Sequence, residues 1–237
     1  MSELNAYKDK YFSILGDSIS TFEGYSEPVN AEYYNREYKI SSGVLTLSDT
    51  WWGQVIDTLG GKLLRNNSIS GSTVCWHPAY EVPSYGCSDE RTSALDKEGV
   101  APDVIMVFLG TNDWGAGLSV TSASGAKGEE SNLTIFSNAY RKMLERLKGN
   151  YPNAERWCLT LPISRCLAMK NFEFPYYYGG RHIAEYCAAI EENAKAYGCR
   201  VIDLYHYGTP HDTLDGFHPN VSGMKTLADG VMSALKK

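Results

Sequence analysis

Five short runs of apolar, β-forming residues recur along the chain, over about 11–16, 62–67, 103–110, 156–161 and 199–204. The first, Tyr11-Phe-Ser-Ile-Leu-Gly16, stops at a glycine and is followed by the small polar pair Asp17-Ser18. The third, Asp103-Val-Ile-Met-Val-Phe-Leu-Gly110, is apolar on both faces, as a strand in the middle of a parallel sheet must be. Between these runs the apolar period changes to that of a helix. Trp52, Val55, Ile56 and Leu59 form one stripe, Phe136, Tyr140, Met143, Leu144 and Leu147 a second, and residues 183–197 carry a third. The tail from Asn220 to Leu235 predicts a last helix, with Pro219 placed at its first position. Strand alternating with helix predicts an α/β fold: a parallel sheet with right-handed crossovers and helices on both faces. No repeat or linker-like tract divides the sequence, so residues 1–237 are read as one domain.

The connections are less economical than the elements. Residues 21–47 are long for a strand-to-helix link and hold Tyr25, Tyr33, Tyr34 and Tyr38. Residues 111–130 and 162–180 are long as well. Loops of that length are usually functional or mobile, and all three should leave the sheet at the edge that carries Ser18.

Composition narrows the function classes. A formal charge of -6 over 237 residues argues against a nucleic-acid binder, which would show a basic face. No apolar run reaches the roughly 18 residues a membrane span requires, and the opening residues lack the apolar centre of a signal peptide. A cytoplasmic location is the expectation. The six cysteines contain no C-x-x-C spacing and read as free thiols, with Cys75 and Cys87 as the one pair that shares a loop.

The candidate chemistry sits after the strands. A serine hydroxyl needs a base to become a nucleophile, and histidine is the usual one near neutral pH. Of the five histidines, His218 stands three residues after Asp215, and such a turn can bring the carboxylate to Nδ1 and free Nε2 for Ser18. The same five residues, Asp215-Gly-Phe-His-Pro219, also read as a plain turn and helix cap. A helix beginning at Pro219 would disfavour imidazolium in the resting state. For the oxyanion of an acyl transfer, candidate donors are the Ser18 N–H, the Gly71 N–H and the Asn112 amide. Gly71 alone is also an ordinary turn residue, and Asn112 an ordinary Asx-turn former.

Together these fragments resemble the SGNH (GDSL) hydrolases, whose four blocks are matched in order. They are Gly16-Asp17-Ser18, Ser70-Gly71 within Asn66–Thr73, Gly110-Thr-Asn112-Asp113, and Asp215-x-x-His218. Ile19 stands where the family name has leucine. The resemblance implies Ser18 as nucleophile, His218 as base, Asp215 as its orienting carboxylate, and Gly71 and Asn112 as oxyanion donors. It also implies a three-layer α/β/α sandwich with a five-stranded parallel sheet of flavodoxin-like order, and neither metal nor cofactor.

Loops 21–47 and 162–180 match no block, so the resemblance names no substrate. The aromatic residues of the strand-end loops, with Trp76, Trp114 and Tyr177 as candidate binding residues, suit a sugar and point to O-deacetylation of a carbohydrate. The same aromatics could equally pack the loops onto the sheet. The alternatives are a lysophospholipase- or thioesterase-type acylhydrolase, and a non-catalytic glycan-binding module on the same scaffold. A nucleotide binder is disfavoured because no glycine-rich phosphate loop follows the first strand. The expected partner is a small-molecule or carbohydrate ester, and the pocket should favour short acyl chains. The acyl group, the alcohol, the oligomeric state and any lid action of loop 21–47 are not legible.

Overall fold

The computed structural model describes residues 3–26, 31–76, 85–121 and 132–236. Five parallel strands form its central sheet: β1 (Tyr11–Gly16), β2 (Lys62–Ser68), β3 (Val104–Phe108), β4 (Glu155–Leu159) and β5 (Arg200–Ile202). Their order is β2-β1-β3-β4-β5, the flavodoxin-like arrangement expected. Among the described residues, seven α-helices accompany them: α1 (Arg36–Ser42), α2 (Trp51–Leu59), α3 (Asp89–Ser93), α4 (Thr111–Gly115), α5 (Phe136–Asn150), α6 (Ile183–Ala196) and α7 (Val221–Ala234).

The layers follow from the alternation along the strands. In β3, every residue of which is buried, Val104, Met106 and Phe108 enter one core while Ile105 and Val107 enter the other. The first core takes the tryptophan stripe of α2 (Trp51, Trp52, Val55, Ile56) and Met224, Leu227 and Val231 of α7. The second takes Phe136, Tyr140, Met143 and Leu147 of α5 with Ile183, Tyr186 and Ile190 of α6. Two apolar faces of one sheet, each covered by a helix pair, make the three-layer sandwich. Among the described residues no helix is long and apolar enough to cross a membrane.

Three features depart from the sequence reading. Pro219 is not in a helix: Asn220 is the N-cap of α7, its side chain accepting from the Gly223 N–H, and the helix starts at Val221. Pro219 instead bridges to Thr213 across the preceding turn, so the helix terminus lies farther from His218 than expected. The third and fifth strands are also shorter than their apolar runs; after β3, Leu109 packs as core beyond the last ladder pair. The long loops contain local structure with no apolar period: α1 inside 21–47, and a tight pairing of Tyr177–Tyr178 with Arg181–His182 at the end of 162–180.

Candidate active site

The strand register brings the candidate residues to one edge. Gly16, the last residue of β1, pairs with Ser68 of β2 on one side and Phe108 of β3 on the other. The segments leading to Ser18, Gly71 and Asn112 therefore leave the sheet side by side. A side chain at position 16 would place its Cβ 2.7 Å from that of Ser20 and 2.8 Å from Ser68 Oγ, so the turn closes only on glycine. Beyond it, Asp17 Oδ1 accepts from the Ile19 N–H at 3.0 Å and caps a single 3₁₀ turn, Ser18–Ser20. Ser18 is 6% exposed.

His218 meets that serine from the far end of the chain. Its Nε2 lies 2.9 Å from Ser18 Oγ, and its Nδ1 lies 2.7 Å from Asp215 Oδ2. The other carboxylate oxygen, Oδ1, accepts the backbone N–H groups of Phe217 (2.9 Å) and His218 (2.8 Å). Burial pushes the Asp215 carboxyl up, but the bonds from the His218 ring and from these backbone groups outweigh it and hold the carboxyl well below the usual range. An ionised Asp215 accepts a hydrogen bond from Nδ1–H, which keeps the proton on that nitrogen and leaves the Nε2 lone pair facing the hydroxyl.

No other histidine among the described residues competes for this place. His211 is buried with Nδ1 2.9 Å from the Ile163 carbonyl, and burial pulls its pKa down. His206 pairs with Asp203, and His182 caps α6 through its ring nitrogen. His77 lies outside the described residues.

Asn112 is the second residue of the short helix α4, and its Nδ2 donates to the Ser72 carbonyl at 2.9 Å. That bond fixes the amide plane and leaves the second amide hydrogen for another acceptor. Gly71 sits in the turn after β2 at φ +79°, with nothing within 4 Å of where a side chain would begin. Among the described residues no backbone acceptor takes its N–H. The neighbouring Asp113 accepts from the Val74 and Cys75 N–H groups (2.8 and 3.0 Å), tying the loop after β2 to α4; burial pushes its carboxyl up to about 6.

The serine faces a cleft of about 230 Å³ lined by Ser18, Ile19, Asn112, Gly115, Tyr178 and His218, together with Thr111 and Phe217. A smaller cavity of about 10 Å³ adjoins it across Ile19, Thr111 and Phe217, and is walled mainly by Trp114, Leu161, Phe174 and Ile183.

The aromatic candidates separate. Trp114 is 1% exposed and packs on Phe174, Tyr178 and Phe217, so it forms the inner wall of that cavity and offers no open face to a sugar. Tyr177 is 68% exposed and leans on His182; within its run it is Tyr178 that lines the cleft. Trp76 is exposed and does not line the cleft.

All six cysteines are free, Cys75 and Cys87 included. Among the described residues, the three groups close enough to hold a metal, Glu191, Asp203 and His206, include none of the residues that surround Ser18.

Two residues at the site carry no signal of their own in the sequence. Tyr33, legible only as one tyrosine of a rich loop, stacks on His218. Arg91, 2% exposed, bonds the backbone under the serine turn. A buried arginine cannot be told from a surface one by its identity, and the pairing of Tyr33 with His218 depends on tertiary contact.

The family described as GDSL-like Lipase/Acylhydrolase matches residues 10–162. Among solved structures, a protein from Bacteroides uniformis described as a GDSL-like lipase is 31% identical, with 98% of each chain covered and a TM-score of 0.72. One from Bacteroides ovatus with the same description is 27% identical over 95% of this chain and 97% of that one, with a TM-score of 0.71. A carbohydrate esterase family 2 enzyme from Corynascus thermopiles (Myceliophthora fergusii), solved with a carbohydrate binding domain, is 15% identical over 96% of this chain and 67% of that one (TM-score 0.58), a likeness of fold alone. No curated protein matches the chain significantly.

Proposed function

The chain belongs to the GDSL-like lipase/acylhydrolase family, and from that premise we propose that it is a serine esterase acting on short-chain acyl esters, with the acetyl ester of a carbohydrate as its substrate class. The observation that carries the reading is the hydrogen-bonded series Ser18–His218–Asp215, whose atoms suit each step of acyl transfer. Ser18 Oγ attacks the ester carbonyl while its proton passes to His218 Nε2. Asp215 stays ionised and holds the imidazolium. The oxyanion takes hydrogen bonds from the Ser18 N–H, the Gly71 N–H and the second Asn112 amide hydrogen. Collapse breaks the bond to the alcohol, which leaves with the proton from Nε2. Water then attacks the acyl-serine carbonyl and gives a proton to His218 Nε2; the bond from the acyl carbon to Ser18 Oγ breaks, Oγ takes that proton back from Nε2, and the acid is released.

The preference for short acyl groups rests on the two compartments. The small, mainly apolar cavity that shares Ile19, Thr111 and Phe217 with the cleft has room for about one methyl group or water, whereas the open cleft edged by Tyr178 suits a larger polar alcohol. A long acyl chain gains roughly 0.8 kcal/mol per methylene only where an apolar wall receives it.

A second reading, a lipid or thioester acylhydrolase, draws support from Leu167 and Met169, which are exposed on the loop that leads to Tyr178. Activated esters from acetyl to octanoyl, assayed beside acetylated sugars, separate the two. kcat/KM highest for acetyl or propionyl and falling by octanoyl fits the first; a steady rise with chain length overturns it in favour of the second.

A further inference from the structure

The Tyr33 ring lies face to face with the His218 imidazole, 3.6 Å between centroids and 7° between planes. Its hydroxyl reaches Asp215 Oδ2 at 3.5 Å. On the outer side Tyr38 stacks in turn on Tyr33 at 4.6 Å, so three rings run from the histidine to the surface helix α1. The same stretch is tied to the serine. The Tyr33 N–H donates to Thr21 Oγ1 at 2.9 Å, and Thr21 Oγ1 donates to the Ser18 carbonyl at 2.9 Å. Tyr34, wholly buried, donates its hydroxyl to the carbonyl of Pro219, next to His218, at 2.7 Å. Ser18 and His218 are 200 residues apart and joined directly by one hydrogen bond. Residues 33 and 34 hold both sides of that bond at once.

Resting on the serine-esterase reading above, we propose that Tyr33 is a positioning residue of the Ser18–His218 couple: its ring face fixes the imidazole plane and stabilises the imidazolium formed when Ser18 gives up its proton. The chemistry is that of a cation against an aromatic face. The ring's negative face attracts an imidazolium more than a neutral imidazole, within the roughly 6 Å over which such contacts act. Because the extra attraction exists only while the imidazole is charged, it acts on the transition state more than on the resting enzyme. The ring also closes one face of the imidazole to water. The ionisable and polar groups around His218 are the Asp215 carboxylate in its own turn, the Asp17 carboxyl at the end of β1, the Ser18 hydroxyl, and the phenols of Tyr33 and Tyr34. Tyr33 is the one whose ring face covers the imidazole. Burial, with Asp215 alongside, pushes its phenol up, so it remains neutral in the working range.

The test compares wild type, Tyr33→Phe and Tyr33→Leu by the pH profile of kcat/KM on an activated acetate ester, with Ser18→Ala as the blank. Tyr33→Phe keeps the face and should stay within about threefold of wild type. Tyr33→Leu keeps bulk without the face; it should lose about 2- to 30-fold and move the acid limb of the profile to lower pH by about 0.4 to 1.5 units, the range of a cation–π contact. A loss with the acid limb unmoved would reduce Tyr33 to an anchor of its loop and overturn the inference, as would equal behaviour of the Phe and Leu variants. Proton NMR of the unaltered protein gives a second reading that needs no variant to fold. Ring current should displace the His218 ring protons upfield, and their absence from that region would overturn the stack. Failure of wild type to turn over any ester would instead sink the esterase reading, so the two failures are distinct.

Discussion

Arg91 Nη2 donates to the carbonyl oxygen of Gly16 at 3.0 Å, directly behind the turn that carries Ser18. The same nitrogen donates to the Asn67 carbonyl at 2.7 Å, and Nη1 to Ser72 Oγ at 2.8 Å. One buried guanidinium therefore joins the end of β1, the end of β2 and the loop holding Gly71. Burial pulls its pKa down to about 10, with the Asp17 and Glu90 carboxylates opposing, and it stays charged at neutral pH. Arg91→Met should leave these acceptors without a charged donor, at about 1–3 kcal/mol each. We expect a loss of about 3 kcal/mol or more in urea unfolding, on the same scale, and a fall in kcat. Arg91→Lys should not restore them, since an ammonium lacks the planar fork. An Arg91→Met protein as stable as wild type would refute this role.

Asp17 sets a pH dependence of stability opposite to the usual carboxylate. Burial pushes its carboxyl up to about 7, and its Oδ2 has no hydrogen-bond partner among the described residues. Between the ordinary aspartate value near 3.8 and about 7, the folded state holds a proton that the unfolded chain has released. Stability from this group is thus full below the lower value and is lost as pH rises through the window. Asp113, pushed up to about 6, acts in the same direction. Thermal unfolding should show the contribution of these groups falling from about pH 4 to 7, and Asp17→Asn should remove its share of that slope. A variant with the wild-type slope would show that Asp17 is ionised throughout.

Asn112→Ala tests the oxyanion assignment. If its second amide hydrogen meets the developing charge, kcat should fall by about 10²–10³, equivalent to about 2.7–4 kcal/mol. The bond to the Ser72 carbonyl is lost as well, so the unfolding midpoint is measured alongside. A kcat near wild type would make Asn112 a structural tie between α4 and the loop after β2.

Much of this arrangement was legible in the sequence, for identifiable reasons. The sheet was readable because β1 and β3 are apolar runs ended by glycine, and the helix pairs because α2 and α5 carry clean stripes. Asp215 and His218 were readable because a three-residue spacing can close a turn between carboxylate and ring, and Ser18 because it follows a strand that stops at Gly16. The stripe at helical spacing also placed Trp52 in the core correctly, yet no such pattern could separate Trp114, which packs inward, from a tryptophan open to ligand. Trp114 lies in α4, a helix of little more than one turn, which is too short for a period to show which way its side chain faces. Tyr33 and Arg91 were illegible because their roles arise from contacts far along the chain: Tyr33 reaches Asp215 across 182 positions, and Arg91 reaches Gly16 across 75.

Covalent labelling asks most sharply whether Ser18 is the nucleophile. Wild-type protein is treated with a fluorophosphonate, the labelled peptide is identified, and turnover of an activated acetate ester is followed beside that of Ser18→Ala. A single label on Ser18 is expected, with loss of turnover in step with labelling. Ser18→Ala should be slower by at least about 10³-fold at an unchanged unfolding midpoint. A label on another residue, or a Ser18→Ala protein that hydrolyses the ester at the wild-type rate, would contradict the assignment.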